Sequence, residues 1–338
     1  MVELTTTTPE HIDVNDIFER RSEYSLDRVN QLKDAITGLA APIDLPDLTI
    51  FTVGSYGRLE ASTHSDIDLF FVYGQSDHSK AQRRTNELRL FGRLIEKVEE
   101  LDFPKLSNDA QYLQSHETKK VLKHLGSAID DSRNYFTTRM LLLLESKPLY
   151  GEDSYVHVMR AMLESYYRDY PTHEENFRPW FLLNDIMRFW KTLLLNYENK
   201  RNRGSDASDP RPRTKNFKLK YSRATTCFAT ICAVGSARGS VGPEEMLEIV
   251  GVTPRERLLR VADDLPELSG DVAMVLEDYA WFLEQTALPT DELEGLFIDK
   301  ESKAEMFARA SEYGSKLHTL IKRIDESSDG GLLRALVV

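Results

Sequence analysis

The sequence predicts an α+β protein, with a small sheet and its helices over about residues 24 to 126 and an all-helical region over about 127 to 338. Three observations predict it. Residues 48 to 53 and 67 to 73 are short apolar runs bounded by Gly, Ser and Asp, the pattern of buried strands. Between residues 80 and 101, Leu88, Phe91, Leu94, Ile95, Val98 and Leu101 recur at helical spacing, so an amphipathic helix follows the second strand. From Ser127 to the end the apolar spacing reads as helical throughout.

Residues 1 to 23, polar and Thr-rich, are expected to form a flexible arm. Val29, Leu32, Ile36 and Leu39 then mark a helix from Ser25, where Ser25 and Asp27 suit a helix N-terminus, and Pro42 and Pro46 lead out of it. After the helix of residues 80 to 101, Asp102 and Pro104 break the pattern, and residues 105 to 113 read as a third extended piece interrupted by Asn108 and Asp109. Helices are expected at 127 to 147, 154 to 170 and 179 to 201, the last with Leu182, Ile186, Phe189, Trp190, Leu193 and Tyr197 on one face. Residues 203 to 212 are expected to form a loop. Pro243 and Thr253-Pro254 mark two helix starts, because proline fits the first helical turn. Helices at 271 to 287 and 303 to 324 close the chain before a short apolar tail.

Composition narrows the function. No apolar run is long enough for a membrane span, and the first residues lack the basic and apolar regions of a signal peptide, so a cytoplasmic protein without membrane partners is expected. Cys227 and Cys232 read as small core residues, and the scattered histidines lack zinc-ligand spacing. The net charge of −12 argues against a broad nucleic-acid binder. Residues 188 to 223 nevertheless hold eleven basic side chains against three acidic ones, a net of +8, which leaves about −20 for the rest. Such a cationic segment in an acidic protein suits a polyanion such as a nucleoside triphosphate.

The chemistry concentrates in residues 54 to 68, where Gly54-Ser55 follows one apolar run and Asp66-Ile67-Asp68 opens the next. Aspartates at i and i+2 of a strand share a face. Their mutual repulsion needs a cation between them, and Mg2+ takes carboxylate and phosphate oxygens together. Gly54 permits close backbone approach, and Ser55 offers a hydroxyl and an N–H to a phosphate. Gly54-Ser55-x-Gly57-Arg58-x-Glu60 followed by Ser65-Asp66-Ile67-Asp68 resembles the signature of the DNA polymerase beta-like nucleotidyltransferase superfamily. It is most similar to the branch of the PII-protein uridylyltransferases and glutamine synthetase adenylyltransferases. The resemblance covers about a third of the chain.

That resemblance implies a small mixed sheet of the nucleotidyltransferase fold in residues 24 to 126, followed by a helical substrate- and nucleotide-binding domain in 127 to 338. It implies transfer of a nucleoside monophosphate from a nucleoside triphosphate to an acceptor hydroxyl with release of pyrophosphate. Two Mg2+ ions, or Mn2+ in their place, would be held by Asp66, Asp68 and a third carboxylate on the next strand. Asp109 is the expected third ligand and Asp102 the alternative, which also reads as a helix-ending residue. Arg58 resembles the family's loop arginine, with a triphosphate contact and a salt bridge to Glu60 as its two readings. Arg188 and Lys191 share a helix side with Asn184 at i, i+4 and i+7, and with Lys218, Lys220 and Arg223 they are candidate nucleotide contacts. The branch favours a protein acceptor. RNA, cyclic-nucleotide formation, or a nucleotide-sensing module without catalysis are the alternatives.

Overall fold

The computed structural model describes residues 14–74, 80–104, 106, 113–202, 209–328 and 331–337. The chain begins with a long helix, α1 (Val14–Ala40), and enters the sheet through β1 (Leu48–Val53). A single turn, α2 (Gly54–Gly57), leads toward β2 (Asp68–Tyr73), followed by α3 (Lys80–Glu100) and β3 (Ser115–Glu117). Short helices α4 (Thr118–Lys123) and α5 (Ala128–Ser132) precede α6 (Tyr135–Glu145), β4 (Lys147–Tyr150) and α7 (Glu152–Glu164). The remainder is helical: α8 (Trp180–Asn202), α9 (Arg211–Lys218), α10 (Ala224–Ser236), α11 (Pro243–Gly251), α12 (Pro254–Asp264), α13 (Ser269–Gln285), α14 (Thr290–Gly295), α15 (Lys300–Ser327) and α16 (Leu332–Val337).

The architecture is α+β. The sheet runs in the order β3-β2-β1-β4 and is mixed, with β1 antiparallel to both β2 and β4 and β2 parallel to β3. Strand alternation sorts the apolar residues to two faces. Leu48, Ile50, Leu69, Phe71 and Tyr73 pack with Val29, Leu32 and Ile36 of α1 and with Leu90, Leu94 and Val98 of α3. On the other face Phe51, Val53, Phe70 and Val72 join a second core that continues through α6 and α7 into the helical half. Helices therefore cover both faces of the sheet. Asp68 has the parity of Phe70 and Val72, so its side chain belongs to the face turned toward the helical half.

Three expectations are corrected. The segment expected as an arm to residue 23 is helical from Val14, with Ile17 and Phe18 buried and Arg21 donating to the carbonyl of Leu283 at 2.5 Å. Arg21 and Ser25 take buried positions on the helix, which hides the apolar period from the sequence. The third strand is Ser115–Glu117, just beyond the span expected, of which residues 105 and 107–112 lie outside the described residues. The helical half also contributes β4, in which Thr52 faces Lys147 and Phe51 faces Pro148. Four residues with a proline carry no readable strand pattern, and an edge strand is where proline is tolerated.

The proline signals hold. Pro243 and Pro254 begin α11 and α12, and Thr253 and Glu256 form a reciprocal capping box at the second. Cys227 and Cys232 are buried free thiols on α10, both pushed up to about 12 by burial. Among the described residues no helix is long and apolar enough to cross a membrane.

Candidate functional site

β1 and β2 form an antiparallel pair whose last partners are Val53 and Asp68, so the Gly-Ser turn and the aspartate pair meet at one end of the sheet. Gly54 has φ +71°, in the region that favours glycine, and a Cβ built there would lie 3.5 Å from Asp68 Oδ2. The Asp68 carboxylate thus rests against the turn. Gly57 is needed for a different reason, since its Cβ would fall 1.9 Å from the carbonyl oxygen of Glu145. The loop is closed by Arg58 N–H to Gly54 O at 3.0 Å and Glu60 N–H to Ser55 O at 2.8 Å. Ser65 Oγ accepts from the Ser62 N–H at 2.9 Å just before Asp66.

A cleft of about 570 Å³ opens between this edge and the helical half. Gly54, Ser55, Asp66 and Asp68 line it from the sheet, and Lys215, Lys218, Ser222 and Arg223 line it from the helices. The last three of these span the end of α9 and a π-helical turn at Leu219–Arg223. An α-helix would point residues two apart about 200° from each other, which takes Lys220 away from Lys218. A turn closed at i+5 instead brings Arg223 toward the side of Lys218.

The charges are coupled across the cleft. Burial lowers the Lys218 ammonium from its ordinary pKa, and Asp66 works against that shift. The Lys218 side chain is itself exposed to the open cleft, so the lowering reflects the protein walls around it. Arg223 is brought down to about 10 by burial and by the Arg58 charge, with Asp68 opposing. Beneath the aspartates lies a buried network. Arg58 Nε donates to Glu60 Oε2 at 2.6 Å, Arg58 Nη1 to Glu145 Oε2 at 2.5 Å, and the Tyr279 hydroxyl to Glu60 Oε2 at 2.8 Å. Arg223 forms an ion pair with the same Glu145. Burial works to lower the Arg58 guanidinium, but Glu60 and Tyr279 outweigh it and hold Arg58 above its ordinary value.

Gly54, Ser55, Asp66, Asp68, Lys218 and Arg223 are therefore brought together. Arg58 also lines the cleft, but it is only 6% exposed and its guanidinium is engaged by two carboxylates, which is the salt-bridge reading. Arg188 is elsewhere. It pairs with Asp131 at 2.6 Å and Asp185 at 3.2 Å and stacks over Phe136 at 3.9 Å. Neither it nor Lys191 nor Lys220 lines the cleft. The face that α8 turns to the cleft is Phe189, Thr192, Leu193, Asn196 and Tyr197, the apolar stripe rather than the basic side. Asp109 lies outside the described residues. Asp102 has φ +53° in the turn after α3 and stays off the cleft, the helix-ending role.

Sequence reasoning missed Glu145 and His116, and it counted Lys215 in the cationic segment without choosing it as a contact. Glu145 had a signal, a lone acid ending the run Met140-Leu141-Leu142-Leu143-Leu144. His116 had none, because only the pairing of β3 with β2, Val72 opposite His116, carries it to the cleft. No family model matches the chain, and no curated protein matches it.

Proposed function

We propose that the cleft binds a nucleoside triphosphate with a divalent cation and transfers the nucleoside monophosphate to an acceptor hydroxyl. One observation carries the reading: Asp66 and Asp68 face Lys218 and Arg223 across a cleft whose floor is the Gly54-Ser55 turn. Carboxylates and cations are thereby arranged for the two charges of a metal-bound triphosphate.

The donor set fits Mg2+ in a particular way. Among the described residues no group of three His, Cys, Asp or Glu gathers to hold a metal. Mg2+ is commonly held by one or two carboxylates plus substrate phosphates, and Asp66 and Asp68 supply that protein share. A cation bound there would polarise the α-phosphate and favour departure of pyrophosphate. Ser55 and the turn would orient phosphate oxygens. Lys218 and Arg223 would balance charge gathering on pyrophosphate as the α–β bond breaks, with the acceptor oxygen forming the new bond to phosphorus and its proton passing to water. Glu145 would hold Arg223 and Arg58 in place, so the loop and the helical wall keep a fixed spacing.

The resemblance noted in the sequence supports the same reaction, with protein as the favoured acceptor. Incubating the protein with each α-phosphate-labelled nucleotide, Mg2+ and cell extract, then resolving protein, RNA and small-molecule fractions, tests it. Label is expected in protein. Label in RNA would reassign the acceptor, and no transfer of any nucleotide would remove the reaction.

A further inference from the structure

The end of the cleft away from the aspartates has a different chemistry. Two rulers give its distance. His116 lies opposite Val72, four residues along β2 from Asp68, or roughly 13 Å at strand rise. On α6, Thr137 is eight residues before Glu145, or roughly 12 Å at helical rise. Glu145 is tied to the charged end through Arg58 and Arg223, and both Thr137 and His116 line the cleft. Thr137 and His116 thus line a part of the cleft away from the charged end.

Toward the end away from the aspartates the cleft is lined by Gln114, His116, Asn134 and Thr137, with Phe70, between that end and Asp68, and Phe189, packed on Phe136, as apolar walls. His116 is 6% exposed, with its ring edge-on to Tyr135 at 5.7 Å. Burial lowers its pKa to about 4. A buried imidazole held neutral offers one donor and one acceptor, and each carboxamide offers both. Phosphate oxygens are poorly served by such a surface, which has no cation. A flat, neutral heteroaromatic group with donors and acceptors on its edge is well served by it.

We propose that this uncharged end seats the base of the nucleotide, with His116, Gln114 and Asn134 reading its hydrogen-bonding edge between Phe70 and Phe189. The inference rests on the nucleotide reading of the charged end and gives it a specificity element. The separation suits it, being about the reach from an α-phosphate across a ribose to the far edge of a base. Selectivity follows, because a wrong base leaves a buried polar group unpaired, which discriminates more strongly than apolar fit alone.

The test is calorimetric titration of the full chain, as wild type, His116→Ala and Gln114→Ala, with Mg2+ and non-hydrolysable analogues carrying each of the four bases. Inorganic tripolyphosphate is titrated in parallel. Gln114 is exposed, so its variant keeps the fold even if the buried His116 substitution does not. Wild type is expected to prefer one base, or the purines or the pyrimidines as a class, by about tenfold or more. Either substitution should shrink that preference to about threefold or less while tripolyphosphate affinity stays the same. Four analogues binding alike to wild type, or a preference that survives both substitutions, overturns the inference while leaving the nucleotide reading intact. Tripolyphosphate that does not bind wild type, or binds Lys218→Ala equally well, overturns the nucleotide reading and this inference with it.

Discussion

The β1–β2 hairpin and the segment from α9 through the π-helical turn both deliver charge to one cleft, by unlike means. In the hairpin the placement is local. Antiparallel pairing sets Val53 against Asp68, and period-two alternation then fixes the face that Asp68 takes, with Asp66 two residues before the strand. In the helical segment the placement depends on packing. Phe217 and Tyr221 are anchored among Phe282, Phe297 and Tyr313, and only that anchoring decides which cations turn inward. A strand thus carries its site residues in its own register, whereas a helix carries a set of candidates from which tertiary contacts choose.

The largest effect should come from the hairpin side. Asp66→Asn and Asp68→Asn keep shape and remove one charge each, so nucleotidyl transfer should fall roughly a thousandfold in either variant. Thermal unfolding should barely move, because neither side chain is fully buried. Labelled-nucleotide assays and melting curves on the same preparations check both halves. Full transfer in the double variant would break the comparison at its first term.

Glu145 joins the two regions, and its removal should be felt as stability rather than chemistry. Its side chain is buried and holds Arg58 of the loop and Arg223 of the helical wall together. Glu145→Gln removes the counter-charge that Arg223 pairs with and one of the two carboxylates on the buried Arg58, which keeps Glu60, and this destabilises by about 3 kcal/mol. Denaturant titration should show it as a lowered midpoint with little change of slope. A midpoint equal to wild type would mean that the network does not couple the two sides.

How much was legible follows the same division. The strands of the hairpin, the aspartate pair, the Gly-Ser turn and the proline-marked helix starts could be read because each rests on neighbours in sequence. Arg188 shows the opposite. Asn184, Arg188 and Lys191 at i, i+4 and i+7 describe a real helix side, but Asp131, Asp185 and Phe136 engage Arg188, and nothing near Arg188 in sequence announces Asp131 or Phe136. β4 was hidden because four residues with a proline leave no period to detect. Glu145 and His116 needed the sheet assembled before their positions had meaning. Lys220 is a milder case: helical geometry separates it from Lys218, and packing decides that Lys218 lines the cleft.

Lys218 and Lys220 therefore sharpen the comparison with the smallest expected effect. Lys218→Ala should weaken tripolyphosphate binding about tenfold at neutral pH, and Lys220→Ala should leave it within about twofold. The pH dependence separates a true contact from an indirect one. Burial lowers the Lys218 pKa below 10.5, with Asp66 opposing, so its charge is lost at a lower pH than that of an ordinary lysine. Wild-type affinity should then fall as pH rises through that lowered value, while Lys218→Arg, which stays protonated, holds its affinity. Stability moves the other way. Between the folded and unfolded pKa values the unfolded chain binds the extra proton, so the wild type should gain stability with rising pH relative to Lys218→Ala. Calorimetry and melting curves at pH 7.5 and about 9.5 measure both slopes. An affinity that is flat with pH in wild type, or one that falls equally in Lys218→Arg, would mean that Lys218 is not the cation that meets the phosphates.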